Sequence, residues 1–276
     1  VQSFYLRLST HQILRIDFNM TCLIHPTAII EPGAQLDEGV IVGAYAYVGS
    51  AVQLGRGSQV YHHATVEGNT WVGAENRIFP YAFVGGLTQD LKYKGGNPGL
   101  RIGDRNTFRE YSTVHMGTAD GALTVVGSDN NFLSYTHIAH DCQVGSHNIF
   151  SNCATLAGHV ILGDHVVIGG FSAVHQFCHI GSYAMIGGMS KVVKDVVPFM
   201  IVDGSPLETK SLNKIGLERN GFTHDELHLI RKAHRILYKS GLNVSQALEQ
   251  LKLLADINGR IQSITDFIEK SDRGIA

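Results

Sequence analysis

The chain has 276 residues, 44% hydrophobic and 17% charged, enough for one large globular domain with a small appendage. A formal net charge of -2 excludes the broad basic surface of a nucleic-acid binder, and no apolar run approaches the ~20 residues that span a bilayer. The cysteines Cys22, Cys142, Cys153 and Cys178 form no CxxC pair or zinc spacing and read as small buried residues of a reducing cytoplasm.

Val1–Asn19 come first. They lack the apolar core and small-residue cleavage site of a secretory signal. We expect them to stand outside the fold, with Met20 as the natural start; the alternative is an added arm that packs on the first coil. From Ile24 an apolar residue then recurs every sixth position, through Ile30, Leu36, Val42, Val48, Leu54, Val60, Val66, Val72, Ile78 and Val84. The series resumes in phase at Ile102, Phe108 and Val114, and again from Val126 through Phe132 and Ile138 to Val192. A helix repeats every 3.6 residues and an amphipathic strand every two, so neither explains a period of six. Short side chains recur two residues before the anchors (Ala46, Ala64, Asn148), and glycine one residue after them (Gly55, Gly127, Gly145). The pattern predicts a parallel β-helix over residues 20–202. Each coil has three short strands whose anchors point inward, and coils stack about 4.8 Å apart. Glycine after each anchor is expected to take the positive φ of a corner. Handedness does not follow from the pattern. Hexapeptide-repeat proteins, which this chain resembles, are left-handed.

Two excursions interrupt the coil, at 87–100 and 116–124. Loops on a rigid scaffold often carry function, and the first holds Gln89, Asp90, Lys92 and Lys94, too charged for a core. Residues 203–276 read as a small helical domain. Thr223 with Glu226 predicts a capping box ahead of a helix ending near Gly241. Asn243 with Gln246 opens a second through Leu254, and a third runs over about 261–270.

The candidate chemistry lies in the coil. Eighteen residues beyond His140 stands Gly158, with His159 beside it; eighteen further stands Gln176, with His175 beside it. The stacking predicts a wall of imidazoles about 5 Å apart. An imidazole suits proton abstraction near neutral pH, Asp141 can orient it, and the Gly158 N–H can meet an oxyanion.

HIAHDCQVGSHNIFSNCATLAGHVILGDHVVIGGFSAVHQFCHIG, from His137 to Gly181, resembles the UDP-N-acetylglucosamine acyltransferase family. So do IHPTAIIEPGA from Ile24, TQDLKYKG from Thr88, IGDRNTFRE from Ile102 and GLERNGFT from Gly216. The likeness covers Ile24 to Gly274. It implies transfer of an (R)-3-hydroxyacyl chain from acyl carrier protein to the glucosamine 3-hydroxyl of UDP-N-acetylglucosamine, without a covalent acyl-enzyme or a cofactor. By the same likeness, His140 is the general base, Asp141 supports it and Gly158 stabilises the oxyanion. Gln89, Asp90, Lys92, His137, His159, His175 and Gln176 contact substrate, Asn213 and Arg219 hold the nucleotide, and Gly188 leaves room for a long acyl chain. The resemblance further implies a cytoplasmic homotrimer with sites between subunits. Lys92, Lys94, Arg101, Arg105 and Arg109 suit an acidic carrier protein or a plain solvated face. Two departures stand out. Asn220 replaces a frequent arginine, which bears on pyrophosphate affinity. Met116 does the same, which bears on carrier docking or only on a loop. Two alternatives remain: a metal-dependent enzyme of carbonic-anhydrase type, whose two histidines five apart are not what His137 and His140 present, and a non-catalytic scaffold.

Overall fold

The computed structural model describes residues 4–8, 12–16 and 21–276. The expectation for Val1–Asn19 and Met20 lies largely outside them. What is described there is an antiparallel pair, Phe4–Leu8 with Gln12–Ile16. From Leu23 the chain winds as a parallel, left-handed β-helix with three faces. The first face begins at Leu23–Ile24, the second at Ile29–Ile30 and the third at Gln35–Leu36. Most strands are two residues long, the first facing out and the second, the six-period anchor, facing in. Phe108, Phe132 and Phe150 stack inside the first face with ring centroids 4.9 Å apart at each step. Beside them runs a buried amide ladder. Asn76 Oδ1 accepts from Asn106 Nδ2 at 3.0 Å, Asn106 Oδ1 from Asn130 Nδ2 at 2.9 Å, and Asn130 Oδ1 from the Asn148 N–H at 2.8 Å. These bonds satisfy polar groups that would otherwise cost ~1–3 kcal/mol each.

The corners differ from expectation. Apart from Gly85, which follows Val84 directly, positive φ at the corners falls almost always three residues after the anchor, not one, and is taken mostly by residues other than glycine: Tyr45, His63, Tyr81, Tyr111 and Tyr135 on the first edge, Asp141, His159 and Phe177 on the second, His147, His165 and Tyr183 on the third. Each left-handed residue costs ~1–2 kcal/mol. Stacking offsets this: Tyr81–Tyr111 and Tyr111–Tyr135 lie 5.2 and 4.9 Å apart and within 6° of parallel, a contact worth ~0.5–1.5 kcal/mol. The glycines after the anchors serve close approach instead. A Cβ on Gly127 would stand 2.6 Å from the Gly145 oxygen, and one on Gly55 2.6 Å from the Gly73 carbonyl carbon.

The excursions begin where expected but end two residues early, because the strands Gly99–Ile102 and Leu123–Val126 take up the faces sooner. The remaining loops, 87–98 and 116–122, clasp one another. Thr88 Oγ1 meets Thr118 Oγ1 at 2.8 Å, and the Asn97 N–H donates to Asp120 Oδ1 at 2.7 Å. Met116 lies inside the coil rather than on a loop surface. It is 7% exposed, belongs to the coil core and occupies the space that a side chain on Gly68 would need.

The boundary expected at 202/203 falls inside the strand Met200–Asp203, which extends the first face and pairs antiparallel with Glu208–Leu212. Four helices follow: α1 (Lys214–Arg219), α2 (His224–Lys239), α3 (Val244–Lys252) and α4 (Arg260–Glu269). Both expected capping boxes form; α1 was not foreseen. Phe199 and Met200 of the last coil share a core with Leu217, Phe222, Ile230 and Ile264. The Asp195 carboxylate accepts from the His179 N–H and the Ser271 hydroxyl, and its backbone pairs with Gly274 and Ala276. The helices therefore fold against the coil rather than apart from it.

Gly127→Ala is expected to lower stability by ~1–3 kcal/mol through overpacking. Tyr135→Gly should change it by less than ~1 kcal/mol, since strain and stacking are lost together. Denaturant midpoints at one protein concentration check both.

Candidate active site

The period of six sets the site. His137–Ile138 is a strand of the second face, so His140 and Asp141 fall on the second edge. One coil on, Gly158 lies under the His140 ring, and any side chain there would collide with Cε1 and Nε2 of His140. His140 Nδ1 lies 2.8 Å from Asp141 Oδ2, with side chains 13% and 12% exposed. The Thr118 N–H donates to Asp141 Oδ1 at 3.2 Å, and the Asp141 N–H donates to Thr124 Oγ1 at 2.8 Å. Burial pushes the Asp141 carboxyl upward, but hydrogen bonds from His140 and Thr118 outweigh it and hold the group below the usual carboxylate range. Asp141 is thus a carboxylate. It draws the proton of His140 to Nδ1 and leaves the Nε2 lone pair free. Among the described residues, no acceptor takes the Gly158 N–H beside it.

The wall of imidazoles is shorter than expected. His140 and His159 meet edge-on, ring centroids 5.1 Å apart, and His159 Nε2 lies 3.7 Å from Asp141 Oδ2. The next ring in the stack is Phe177, 4.7 Å from His159 and nearly parallel. His175 is exposed and meets the Gln176 carbonyl oxygen at 3.1 Å. It follows its anchor by one residue and His159 by three, so the two do not stack. Gln176 lies two coils beyond His140 on the same edge, exposed.

His137 is bonded through Nδ1 to Thr113 Oγ1 at 2.7 Å, and His115 stands edge-on to it at 4.8 Å. Burial, then the neighbouring His115 and His140, push His137 down to about 4. Burial, then His140, also lowers His115. Both are neutral at pH 7. The loops bring Asp90, Lys92, Lys94 and Thr118 to Asp141 and His159 around a cleft of about 590 Å³. Gln89 is exposed on the same loop. Sequence reasoning missed His115, Thr113, Thr118 and Thr124. His115 stood where a glycine normally follows the anchor, a signal that could have found it.

Other expected residues lie elsewhere in the chain. Asn213 caps α1: its Oδ1 accepts from the Gly216 N–H, and its Nδ2 donates to the Tyr183 carbonyl at 2.9 Å. It is 6% exposed, so its side chain is spent on holding α1 to the third edge. Arg219 is exposed in the last turn of α1, and Asn220 ends that helix by donating to the Gly216 oxygen. Gly188 lies on the first edge, with room for a side chain up to the Gly170 oxygen at 3.4 Å. The basic set shrinks. Arg105 forms a bidentate pair with Asp129, and Arg109 pairs with Glu110 over the Phe79 ring. The buried thiols also stand apart, Cys142 pushed up to about 12 and Cys178 to about 11 by burial. Cys22 and Cys153 are only half-buried, against expectation.

Acyl-[acyl-carrier-protein]–UDP-N-acetylglucosamine O-acyltransferase from Paraburkholderia phytofirmans is 49% identical over 257 residues, 91% of this chain and 98% of the relative. The enzyme of the same name from Thermodesulfovibrio yellowstonii is 43% identical over 253 residues, with the same coverage. The chain belongs to the UDP-N-acetylglucosamine O-acyltransferase family. Residues 195–276 match the pattern described as Udp N-acetylglucosamine O-acyltransferase, Domain 2. The crystal structure of UDP-N-acetylglucosamine O-acyltransferase from Moraxella catarrhalis superposes with a TM-score of 0.88 at 41% identity, covering 91% of this chain and 98% of that one. Membership in an O-acyltransferase family sets aside both the non-catalytic scaffold and the carbonic-anhydrase type.

His137 has a depressed pKa, so its stabilising share is complete above the ordinary 6.5 and is lost as pH falls from there toward 4. His137→Gln should flatten the fall in stability across that window, followed by denaturant midpoint. In the parent protein the His137 ring resonance should stay fixed from pH 7 to 5; a midpoint near 6.5 would contradict its burial.

Proposed function

We propose that the chain transfers an (R)-3-hydroxyacyl group from acyl carrier protein to the glucosamine 3-hydroxyl of UDP-N-acetylglucosamine. His140 acts as general base, and no covalent acyl-enzyme forms. The observation that carries this reading is the 2.8 Å contact of His140 Nδ1 with Asp141, which leaves Nε2 free above Gly158. Nε2 takes the hydroxyl proton, and the sugar oxygen attacks the thioester carbonyl carbon. The Gly158 N–H meets the resulting oxyanion. The carbon–sulfur bond then breaks, and the carrier thiolate leaves with the proton from His140. Cys142, next to Asp141, is buried and held protonated, which supports direct transfer over an acyl-cysteine.

Gln89, Asp90, Lys92, His137, His159, His175 and Gln176 would contact substrate. A neutral His137 can hydrogen-bond the sugar without opposing the proton that His140 gains. Arg219, carried by α1 on the third edge, would reach the diphosphate in a neighbouring subunit of a homotrimer, with Asn213 fixing that helix. Gly188 would leave the acyl cleft long. Both substrates are those of a cytoplasmic enzyme, and among the described residues no helix is long and apolar enough to cross a membrane.

His140→Ala should lower kcat/KM by ~10²–10⁴-fold, the usual contribution of a general base, with an unchanged unfolding midpoint. Intact-protein mass spectrometry during a single turnover should find no acylated chain; a transient adduct that forms and decays at the transfer rate would contradict direct transfer.

A further inference from the structure

We propose that Asp90, His140 and His159 bind a zinc-like divalent cation, and that this cation blocks the base. One potential ligand atom from each residue, a carboxylate oxygen and two imidazole nitrogens, lies within 4.8 Å of the others. Donors around a tetrahedral zinc ion stand about 3.3 Å apart, given bonds of about 2.0–2.1 Å. The trio is therefore open by at most about 1.5 Å. Asp90 rides the 87–98 loop while His140 and His159 sit on stacked coils, so the loop supplies the closing movement.

Two further observations favour a cation. His140 directs Nδ1 to Asp141 at 2.8 Å, the outer contact that orients a metal-bound imidazole and raises its basicity. The Lys92 N–H occupies Asp90 Oδ1 at 2.9 Å, leaving Oδ2 for the ion. The adjoining cleft of about 590 Å³ has room for water as a fourth ligand. Lys92 and Lys94 on its wall set the selectivity. They oppose hard cations held by charge alone, whereas imidazole ligation favours zinc and cobalt over magnesium and calcium. Nε2 of His140 is also the atom assigned to proton abstraction, so the cation and the acceptor hydroxyl exclude one another. That consequence rests on the proposed base; the binding does not.

The test uses the full chain, stripped with a chelator and titrated with cobalt(II). The expected result is the intense visible spectrum of low-coordinate cobalt at one ion per chain, displaced by zinc and not by magnesium. His159→Gln and Asp90→Asn should each weaken cobalt binding at least about tenfold. His165→Gln, whose ring stacks with Tyr183 on the third edge, should leave it unchanged. An aqua-type spectrum, or equal affinity in both ligand variants, would overturn the site. Zinc should also inhibit acyl transfer, with relief by excess UDP-N-acetylglucosamine. Cobalt binding with undiminished transfer would overturn the blocking claim alone. If the protein transfers no acyl chain to this acceptor, the spectrum still decides the site.

Discussion

Where Gly127 passes over Gly145, the backbones of successive coils approach so closely that a methyl group on the first would stand 2.6 Å from the carbonyl oxygen of the second. The same contact recurs along the third face, at Gly55, Gly73, Gly103 and Gly145, each of which follows an inward anchor. It permits the strand spacing at which two-residue strands hydrogen-bond to the coils above and below. The left-handed residues at the three edges, the stacked rings on them and the amide ladder inside all answer to that spacing. The active site answers to it as well, since Gly158 is the residue whose missing side chain admits the ring of His140.

The edges turn sequence distance into chemical contact. Asp141, His159 and Phe177 follow their anchors by three residues, so each takes the left-handed corner; His159 stacks on Phe177 and its Nε2 lies 3.7 Å from the Asp141 carboxylate. His140 precedes its corner by one residue and leans across to the Gly158 backbone. The electrostatics divide sharply over a few ångströms. His137 and His115 are buried and neutral, while His140 has an ionised carboxylate at hydrogen-bond distance. The ionised side chain is thus the one that touches His140 Nδ1, where it can orient the ring.

The six-residue anchors were legible because burial inside a narrow prism tolerates only apolar side chains. The His140–Gly158 pairing followed by simple addition of a coil length. What the addition missed was the phase within the turn. His175 and His159 differ by sixteen residues, not eighteen, so they do not stack, and Phe177 takes the place assigned to His175. The positive φ was assigned to glycine from its conformational freedom, but the anchors are followed by glycine for want of space. Met116 read as bearing on carrier docking or only on a loop, because it opens the second excursion; it packs into the coil core against Gly68 instead of lying on a loop surface. The helix α1 escaped notice because six residues carry too little periodicity to register, although Asn213 is a good cap for it.

The central claim is that His140 Nε2, freed by Asp141, meets the acceptor hydroxyl above Gly158. A crystal structure of the protein with UDP-N-acetylglucosamine bound tests it most directly. The account requires the glucosamine 3-hydroxyl within about 2.6–3.2 Å of His140 Nε2, on the side of the ring facing the Gly158 N–H. A 3-hydroxyl bonded to another side chain, with Nε2 turned away from the sugar, would contradict it.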